Sequence, residues 1–487
     1  MYLKKISLLN FKNIAQEEIA FCPGINCLVG DNGAGKTNVL DAVYYLSMCK
    51  SSLQMTDGQS IRHGADFFLA EGSYATDTGK NETILCTFSR KGGKVLKRSG
   101  KEYERLSDHV GLIPAVIVSP ADSALISEAA DERRRYLNAF ISQLDHTYLT
   151  AMMRYNAVLA ERNRLLKTQP DETMLAIYDR QLVEHGGKIH ALRQEFAERL
   201  QPAVAAFYRT LSDDREQVEL HYKSELNERP FEEILRAARQ KDLVSEFTTS
   251  GIHRDDLTLR IGGYPLRKYG SQGQQKSFLI ALKLAQYAIV AAEKSEKPIL
   301  LLDDLFDKLD AGRVEQLIRL VSDDAFGQIF ITDCNPTRLR TILDKAGGDY
   351  TLFTVTDGAI RPEKGPSPTG SGNAQNAIAT EAASTAENGF GVSTDTTGVL
   401  KKNTGNLAGT AADAADISEN AAGASKNSSQ TAAIATGTAE NTSENMSEAS
   451  NGATDSADHR TTDSPDTVDA SNPEQQNAKR QNPGQKL

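Results

Sequence analysis

The sequence predicts an α/β fold with flanking antiparallel strands, a helical-hairpin second lobe and a disordered C-terminal tail. Three observations lead to this prediction. Strand-like segments surround a glycine-rich loop, the middle of the chain has apolar residues at helical spacing, and the composition loses its apolar residues beyond residue 360. We therefore divide the 487-residue chain into two halves of one α/β lobe, a helical-hairpin lobe between them and a tail: 1–120 and 250–360, 121–249, and 361–487.

The glycine-rich loop reads Gly30-Asp31-Asn32-Gly33-Ala34-Gly35-Lys36-Thr37, which fits the P-loop pattern GxxxxGK[ST]. An apolar strand at residues 25–29 precedes it and a helical run at 38–43 follows, as a P-loop requires. Glycines let several backbone N–H groups face one phosphate, and the helix N-terminus adds positive potential. Lys36 is expected to reach the β- and γ-phosphates and Thr37 to bind Mg²⁺. The loop therefore predicts a nucleoside triphosphate site.

Strands flank this loop. Residues 2–8 alternate, a short strand is expected around 18–21, and strands at 67–74 and 82–89 precede a hairpin turn at 91–94. The β-branched run at 114–119 predicts a buried strand. Such antiparallel neighbours indicate a sheet-rich flank and not a simple doubly wound sheet.

The helical lobe is predicted as two helices at 129–167 and 172–211, joined by the turn at 168–171 into an antiparallel hairpin. Its charged side chains, among them Arg133–Arg135, Arg162 and Arg164, are interpreted as a solvated helix face. Contact of these arginines with DNA phosphates or with the nucleotide is the alternative.

The tail carries 16 acidic and 9 basic residues, so it accounts for −7 of the formal net charge of −10. Such a segment buries too little apolar surface to offset its ordering entropy, so we expect it to be disordered. It is interpreted as a solvated extension, with a partner-binding or self-repelling role as the alternative. The remainder of the chain is nearly neutral, so its overall charge does not indicate nucleic-acid binding, and such binding would need a local basic surface.

The five cysteines are scattered without a CxxC pair or metal spacing, which is typical of reduced cysteines. The chain opens without a signal peptide, and its longest apolar runs have the length of strands. We therefore expect a cytoplasmic protein with no membrane contact.

Three further segments complete the site. Ser271-Gln272-Gly273-Gln274 opens an apolar helix and offers a hydroxyl and a helix N-terminus to an anion. The apolar strand at 298–302 ends in Asp303 and Asp304, a Walker B element in which Asp303 is expected to hold Mg²⁺ and Asp304 to orient or deprotonate the attacking water. A third strand, at 327–333, ends where a γ-phosphate sensor is expected. His253 and Arg254 are open to two interpretations, contact with phosphate or DNA and a structural loop clamp.

The order of P-loop, Ser-x-Gly-Gln signature and Walker B resembles the ABC-type ATPase heads of SMC and recombination proteins. This chain has a short helical hairpin where the SMC-type heads carry a long coiled coil, which narrows the resemblance to a smaller group of these proteins. Over residues 1–360 the chain resembles the RecF family of bacterial DNA-repair proteins, on the motifs at 9–13, 119–122, 132–138, 253–257 and 270–275.

This resemblance implies ATP and Mg²⁺ as cofactors and an ATP-dependent homodimer. Ser271, Gly273 and Gln274 of one subunit would close over the nucleotide on Lys36 of the other. It also implies binding to single-stranded, double-stranded and gapped DNA, and cooperation with RecR and RecO to load RecA in repair, replication and the SOS response. The implied activity is a weak, DNA-stimulated ATPase that acts as a switch.

The sequence departs from the wider family at two positions. The usual glutamate after the Walker B aspartate is Asp304, which is one methylene shorter, so we expect slow hydrolysis. Asp304 is expected either to act as the general base or only to position water. Thr332 or Asp333 stands near the place of the switch histidine of transporter-type heads, and the sequence assigns neither a role.

Two alternatives differ from this interpretation. One is the head of another SMC-like or transporter-associated ATPase. The other is a P-loop kinase for a small metabolite, which would use one subunit per site and leave Ser271 and Gly273 without a purpose.

Overall fold

A computed structural model of the chain describes residues 1–363 except 77–78, 169, 213, 295, 306–310, 323–324 and 347–349. The predicted tail lies outside the described residues apart from its first three positions. In chain order the strands are β1 (Tyr2–Phe11), β2 (Ile14–Ala20), β3 (Ile25–Val29), β4 (Phe67–Ala75), β5 (Asn81–Ser89), β6 (Gly93–Arg98), β7 (Lys101–Glu102), β8 (Ala115–Val118), β9 (Val218–Lys223), β10 (Asp256–Ile261), β11 (Tyr264–Pro265), β12 (Ile299–Leu302), β13 (Ile329–Asp333), β14 (Tyr350–Thr356) and β15 (Ala359–Pro362).

The helices lie between groups of these strands, and four of them, α2 to α5, follow one another in the middle of the chain. They are α1 (Lys36–Met48), α2 (Ala124–Ser127), α3 (Ala130–Leu144), α4 (His146–Leu166), α5 (Glu172–Ser212), α6 (Phe231–Ser245), α7 (Leu266–Tyr269), α8 (Gln272–Glu293), α9 (Ala311–Val321) and α10 (Pro336–Ala346). Within the described residues, none of these helices is both long and apolar enough to cross a membrane.

The central sheet has the strand order β15-β14-β3-β13-β12-β8 among the described residues. Its strands run parallel except for β15, which pairs antiparallel with β14 at one edge. Strands β3 and β12 are buried along their whole length, as expected of parallel strands covered on both faces. The parallel order brings the carboxyl ends of β3, β12 and β13 to one edge, and α1 starts there.

A second sheet, antiparallel and ordered β2-β1-β4-β5-β6-β7, covers the other side of α1. Phe11 and Phe68 of this sheet and Tyr45 of α1 pack edge to face, with ring centroids 5.3 to 6.0 Å apart. The strands that flank the P-loop are therefore held against its helix by a shared apolar core. This arrangement confirms the predicted α/β class with an antiparallel flank.

The helical lobe differs from the sequence prediction at one point. The helix expected at 129–167 is two helices, because Asp145 ends α3 and caps α4 by accepting hydrogen bonds from the N–H groups of Thr147 and Tyr148 at 2.6 and 3.1 Å. The apolar spacing continues across this cap, so periodicity alone does not reveal the break. α4 and α5 form the expected antiparallel hairpin.

A small sheet, β11-β10-β9, joins the lobes. β9 follows α5 and pairs antiparallel with β10, which belongs to the second half of the α/β lobe. A hydrophobic core runs without interruption from Ile25 and Val116 of the central sheet to Leu182 and Leu200 of α5. The helical lobe and the α/β lobe therefore share packing.

Two arginines of the helical lobe form hydrogen bonds with carboxylates of the same chain. Arg162 is fully buried and donates hydrogen bonds to Asp179, Asp242 and Thr248 at 2.7, 2.8 and 2.8 Å. Arg133 forms a two-pronged pair with Asp256 at 2.6 and 3.1 Å. The interpretation of these two arginines as part of a solvated face is therefore wrong, because both guanidinium groups pair with carboxylates of the same chain.

Replacing Asp242 by alanine is predicted to lower the free energy of unfolding by about 3–5 kcal/mol, because Arg162 would stay buried with one of its charge partners gone. Urea denaturation followed by circular dichroism measures this loss. Lys188→Ala is the matched control, since its pair with Glu184 is more than half exposed and is expected to contribute little to stability. Equal stability of the two variants would contradict a structural role for the Arg162 cluster.

Candidate functional site

The P-loop is held by its own lysine. Lys36 is 7% exposed, and its Nζ donates hydrogen bonds to the carbonyl oxygens of Gly30 and Asp31 at 2.7 and 2.9 Å. The loop leaves the end of β3 at Val29 and enters α1 at Lys36, so the lysine head group lies across the loop that precedes its own helix. This places a cation beside the first turn of α1, where backbone N–H groups have no helical partner.

Two glycines of the loop lie against other parts of the chain. Gly30 has a φ of +154°, and a Cβ there would lie 2.2 Å from the carbonyl oxygen of Val355 on β14. Gly35 has a φ of +115°, and its Cβ would lie 2.8 Å from the side chain of Asn13. Glycine is therefore required at both positions by conformation and by space.

Asn13, in the turn between β1 and β2, supports the loop from outside. Its Nδ2 donates to the carbonyl oxygen of Ala34 at 3.2 Å, and its Oδ1 accepts from Asn38 Nδ2 at 2.7 Å. The backbone N–H of Gly358 donates to the same Ala34 carbonyl at 2.8 Å. In the sequence, Asn13 belongs to the family motif at residues 9–13, and that motif alone does not indicate its role.

Asp303 connects the P-loop helix to the Walker B strand. The hydroxyl of Thr37 donates to the Asp303 carboxylate, with distances of 2.9 and 3.0 Å to its two oxygens, and Asp303 is only 3% exposed. Thr332, at the end of β13, donates its own hydroxyl to Asp303 Oδ1 at 2.8 Å. One carboxylate therefore joins the ends of β12 and β13 to the start of α1.

Asp304 follows in a backbone conformation that is rare for residues other than glycine, with a φ of +46°. Its backbone N–H donates to the hydroxyl of Thr332 at 2.9 Å, so Thr332 contacts both Walker B aspartates. Asp304 Oδ1 is shielded from solvent and makes no hydrogen bond within the described residues. The strained backbone and the orphan oxygen are typical of a functional position.

The electrostatics of Asp303 favour a bound cation. Burial raises the pKa of Asp303 and the neighbouring Asp304 adds to this, while the hydrogen bonds from Thr332 and Thr37 and the charge of Lys36 act in the opposite direction. A divalent cation would compensate the buried charge, and a hydroxyl with carboxylate oxygens is the donor set that Mg²⁺ prefers. Thr37 and Asp303 therefore fit a Mg²⁺ site, and Asp304, which carries the orphan oxygen, lines the same cavity.

Thr332 and Asp333, the two residues without an assigned role, have different environments. Asp333 is fully buried and held by Arg338, whose Nε and guanidinium NH2 group lie 3.1 and 2.7 Å from its carboxylate. A carboxylate oxygen of Asp333, one of Asp304 and the Sγ of Cys334 lie within 4.8 Å of one another. Only Thr332 of the two lines the cavity beside the P-loop.

That cavity has a volume of about 160 Å³ and combines the P-loop with the Walker B element. Its lining residues are Asn32, Gly33, Gly35, Lys36, Thr37, Asn38, Asp303, Asp304 and Thr332. Gly30, Asp31 and Ala34 form the remaining backbone of the loop beside it. Ser271, Gly273 and Gln274 are not among the lining residues, so a single chain does not bring the signature to this cavity.

The signature forms a separate, open helix terminus. Ser271 is the N-cap of α8: its Oγ accepts from the N–H of Gln274 at 3.2 Å, and Gln274 Oε1 accepts from the N–H of Ser271 at 2.6 Å. Ser271 is exposed and Gly273 half-buried. A Cβ at Gly273 would lie 3.1 Å from a guanidinium nitrogen of Arg313, which places a cation beside this N-terminus. The N-terminus of a 22-residue helix thus faces solvent and can receive an anion.

His253 was expected either to contact phosphate or DNA or to act as a structural clamp of its own loop. Its ring nitrogens lie 2.9 Å from the hydroxyl of Tyr155 and 3.0 Å from the carbonyl oxygen of Thr248. Burial lowers the pKa of His253 to about 4, so the ring is neutral at physiological pH. The guanidinium of Arg254 lies over the ring of Phe247 at 5.5 Å. These contacts favour the structural interpretation of the loop.

Comparison with known proteins places the chain in a family. Residues 2–351 match the family described as the RecF/RecN/SMC N terminal domain. The chain is 48% identical over 362 residues to the DNA replication and repair protein RecF of Bacteroides thetaiotaomicron, a match that covers 74% of this chain and 98% of that protein. The RecF of Porphyromonas gingivalis is 44% identical over 362 residues, with 74% of this chain and 100% of that protein covered.

A solved structure agrees with these sequence matches. The chain is similar to the recombination mediator protein RecF-ATP of the RecFOR pathway, with a TM-score of 0.68 and 31% identity over 74% of this chain and 98% of that one. The relatives are covered over nearly their whole length, and the expected resemblance and ABC-type head fold are confirmed. The chain belongs to the RecF family of DNA replication and repair proteins.

Proposed function

We propose that this protein is an ATP-dependent DNA-binding protein of recombinational gap repair and replication-fork maintenance, in which ATP joins two copies of the chain and hydrolysis separates them. One observation carries the proposal: the P-loop and Walker B residues line one cavity, while the signature helix opens to solvent elsewhere on the same chain. Each chain thus carries two half-sites. Two copies related by a twofold axis would complete two whole sites.

Closure of the dimer follows from the charges of these half-sites. ATP on the P-loop would present its γ-phosphate to the partner subunit. There the Ser271 hydroxyl and the first N–H groups of α8 would receive it, with Gly273 and Gln274 in the same turn. ATP that contacts both subunits stabilises the dimer by mass action, and loss of the γ-phosphate removes the shared contact.

The residues of the cavity divide the chemistry between them. Lys36 Nζ would exchange the carbonyl oxygens of Gly30 and Asp31 for phosphate oxygens. Thr37 and Asp303 would hold Mg²⁺, which neutralises charge that develops on the phosphates. Asp304 would accept a hydrogen bond from the attacking water through its unpartnered oxygen, either as general base or to position that water.

Hydrolysis is proposed to be slow and stimulated by DNA. The short side chain of Asp304 reaches one methylene less far than the glutamate usual in ABC-type heads. A switch that stays closed long enough to act on DNA needs slow turnover. Weak ATPase activity therefore fits a timing role.

DNA and partner proteins are proposed from the relatives. Those are called DNA replication and repair proteins, and the solved relative is called a recombination mediator of the RecFOR pathway. By this relationship we propose binding to single-stranded, double-stranded and gapped DNA. Cooperation with RecR and RecO in loading RecA is proposed on the same ground.

A small-molecule kinase would leave the open signature helix unused.

ATP is predicted to raise the affinity of the Asp304→Asn variant for gapped DNA on the order of tenfold or more, because a closed dimer binds DNA through two chains. Fluorescence anisotropy of a labelled gapped duplex, with Mg²⁺ and with or without ATP, measures this change. The affinity should fall steeply between 50 and 200 mM salt, roughly in proportion to the phosphates contacted. Lys36→Ala, which lacks the phosphate-binding cation, is the control that should not respond to ATP. Affinity that ignores both ATP and salt would contradict the proposal.

Thr332→Val is predicted to reduce the rate of ATP hydrolysis by about 10- to 100-fold, because Asp303 loses a donor and the Asp304 N–H loses its acceptor. The variant should need more Mg²⁺ to bind ATP, while nucleotide binding without Mg²⁺ stays unchanged. Thr332→Ser, which keeps the hydroxyl, is the matched control. If the valine and serine variants hydrolyse ATP equally fast, Thr332 has no positioning role.

A further inference from the structure

α5 extends from the helical lobe to the signature. Its first half packs within the lobe through Leu182 and Ile189. Its second half lies antiparallel to α8: Arg199 pairs with Glu293 near the end of α8, and the ring of Tyr208 lies 6.4 Å from that of Phe278 near its start. A single 41-residue helix therefore spans the distance between the lobe and the N-terminal end of α8.

Glu216 connects the end of α5 to the signature. It lies between α5 and β9. The hydroxyl of Tyr208, on α5, donates to Glu216 Oε2 at 2.6 Å, and Nε2 of Gln274, in the signature, donates to Glu216 Oε1 at 2.7 Å. Tyr208 is fully buried, so one side of this bridge is fixed by packing. The bridge runs from a packed helix to the first turn of α8.

The bridge determines which way the Gln274 amide faces. A carboxylate only accepts hydrogen bonds, so the NH2 group of Gln274 must point to Glu216. The amide oxygen then has to point to the N–H of Ser271, the bond observed at 2.6 Å. A flipped amide would place oxygen against carboxylate and NH2 against N–H, two repulsive contacts. The carboxylate of Glu216 thus fixes the capping box that shapes the signature.

Glu216 carries its charge at neutral pH. Burial acts to raise the pKa of Glu216, but the hydrogen bonds from Tyr208 and Gln274 and the positive charges of Arg313 and Arg215 outweigh it, so the pKa is lower than usual. Hydrogen bonds to an ionised carboxylate are stronger than bonds between neutral groups. The bridge is therefore strong enough to hold the exposed signature turn.

We propose that Glu216 is a positioning residue that holds the signature in the geometry that receives the nucleotide of a second copy, with α5 as its rigid support. This inference rests on the two-subunit site of the proposed function. Glu216 is not among the residues that line the P-loop cavity. Its removal therefore weakens assembly on ATP and leaves the binding of ATP to one chain intact.

The test compares Glu216→Ala with Glu219→Ala, both in the full-length chain carrying Asp304→Asn. Glu219 is a matched control because it is also a glutamate and lies on the neighbouring strand β9. Its carboxylate pairs with the exposed side chain of His221. Sedimentation velocity with ATP and Mg²⁺ measures the dimer dissociation constant, and a fluorescent ATP analogue measures binding to the monomer. We expect Glu216→Ala to weaken the dimer by about tenfold, with analogue binding unchanged within about twofold.

A second variant keeps the test decisive if Glu216→Ala folds poorly. Tyr208→Phe removes one support of the carboxylate and keeps the Glu216–Gln274 bond, so we expect a smaller weakening of the dimer, about two- to threefold. Dimers of both variants as tight as that of the Glu219→Ala control would overturn the role of Glu216. If the parent chain with Asp304→Asn does not dimerise with ATP, the two-subunit site fails, and this inference fails with it.

Discussion

Asp303 is the carboxylate on which the geometry of the site depends. It lies at the end of a fully buried strand, and hydroxyl groups from α1 and β13 donate to it. A buried carboxylate is costly unless hydrogen bonds or a cation compensate its charge, so these two hydroxyl donors favour the arrangement that keeps α1 and β13 within reach of Asp303. The P-loop, the Walker B strand and the adjacent strand are therefore aligned by one side chain. The same charge prepares the cavity for a divalent cation.

The division of the site between two surfaces follows from the fold. Parallel strands bring the P-loop and the Walker B aspartates to one edge of the sheet, whereas α8 lies along α5 of the helical lobe. The signature thus faces outward, with Ser271 exposed at the N-terminus of α8. The proposed ATP-dependent homodimer would join the P-loop of one copy to the signature of the other. Nucleotide would then act as the contact between subunits.

The sequence was most informative where backbone geometry restricts the choice of residue. Gly30 and Gly35 are required by positive φ and by close neighbours, and the apolar strand before Asp303 is required by burial on both faces, so both motifs could be recognised. Residues that meet only in the folded chain could not be recognised from the sequence. Arg162 finds Asp242 80 positions away, and Arg133 finds Asp256 at a distance of 123 positions, so neither pair shows in the local pattern. Glu216 belongs to no motif, and only the folded chain places it beside Gln274.

Complementation between two inactive variants tests the two-subunit site most directly. Lys36→Ala removes the P-loop cation and Ser271→Arg blocks the signature, so each variant alone should not hydrolyse ATP. In an equimolar mixture, half of the dimers contain one chain of each kind, and each of these has one site with an intact Lys36 and an intact Ser271. A site shared between subunits therefore predicts recovery of about a quarter of the wild-type rate. A mixture as inactive as its components would contradict the shared site, as would a Ser271→Arg chain that hydrolyses ATP by itself.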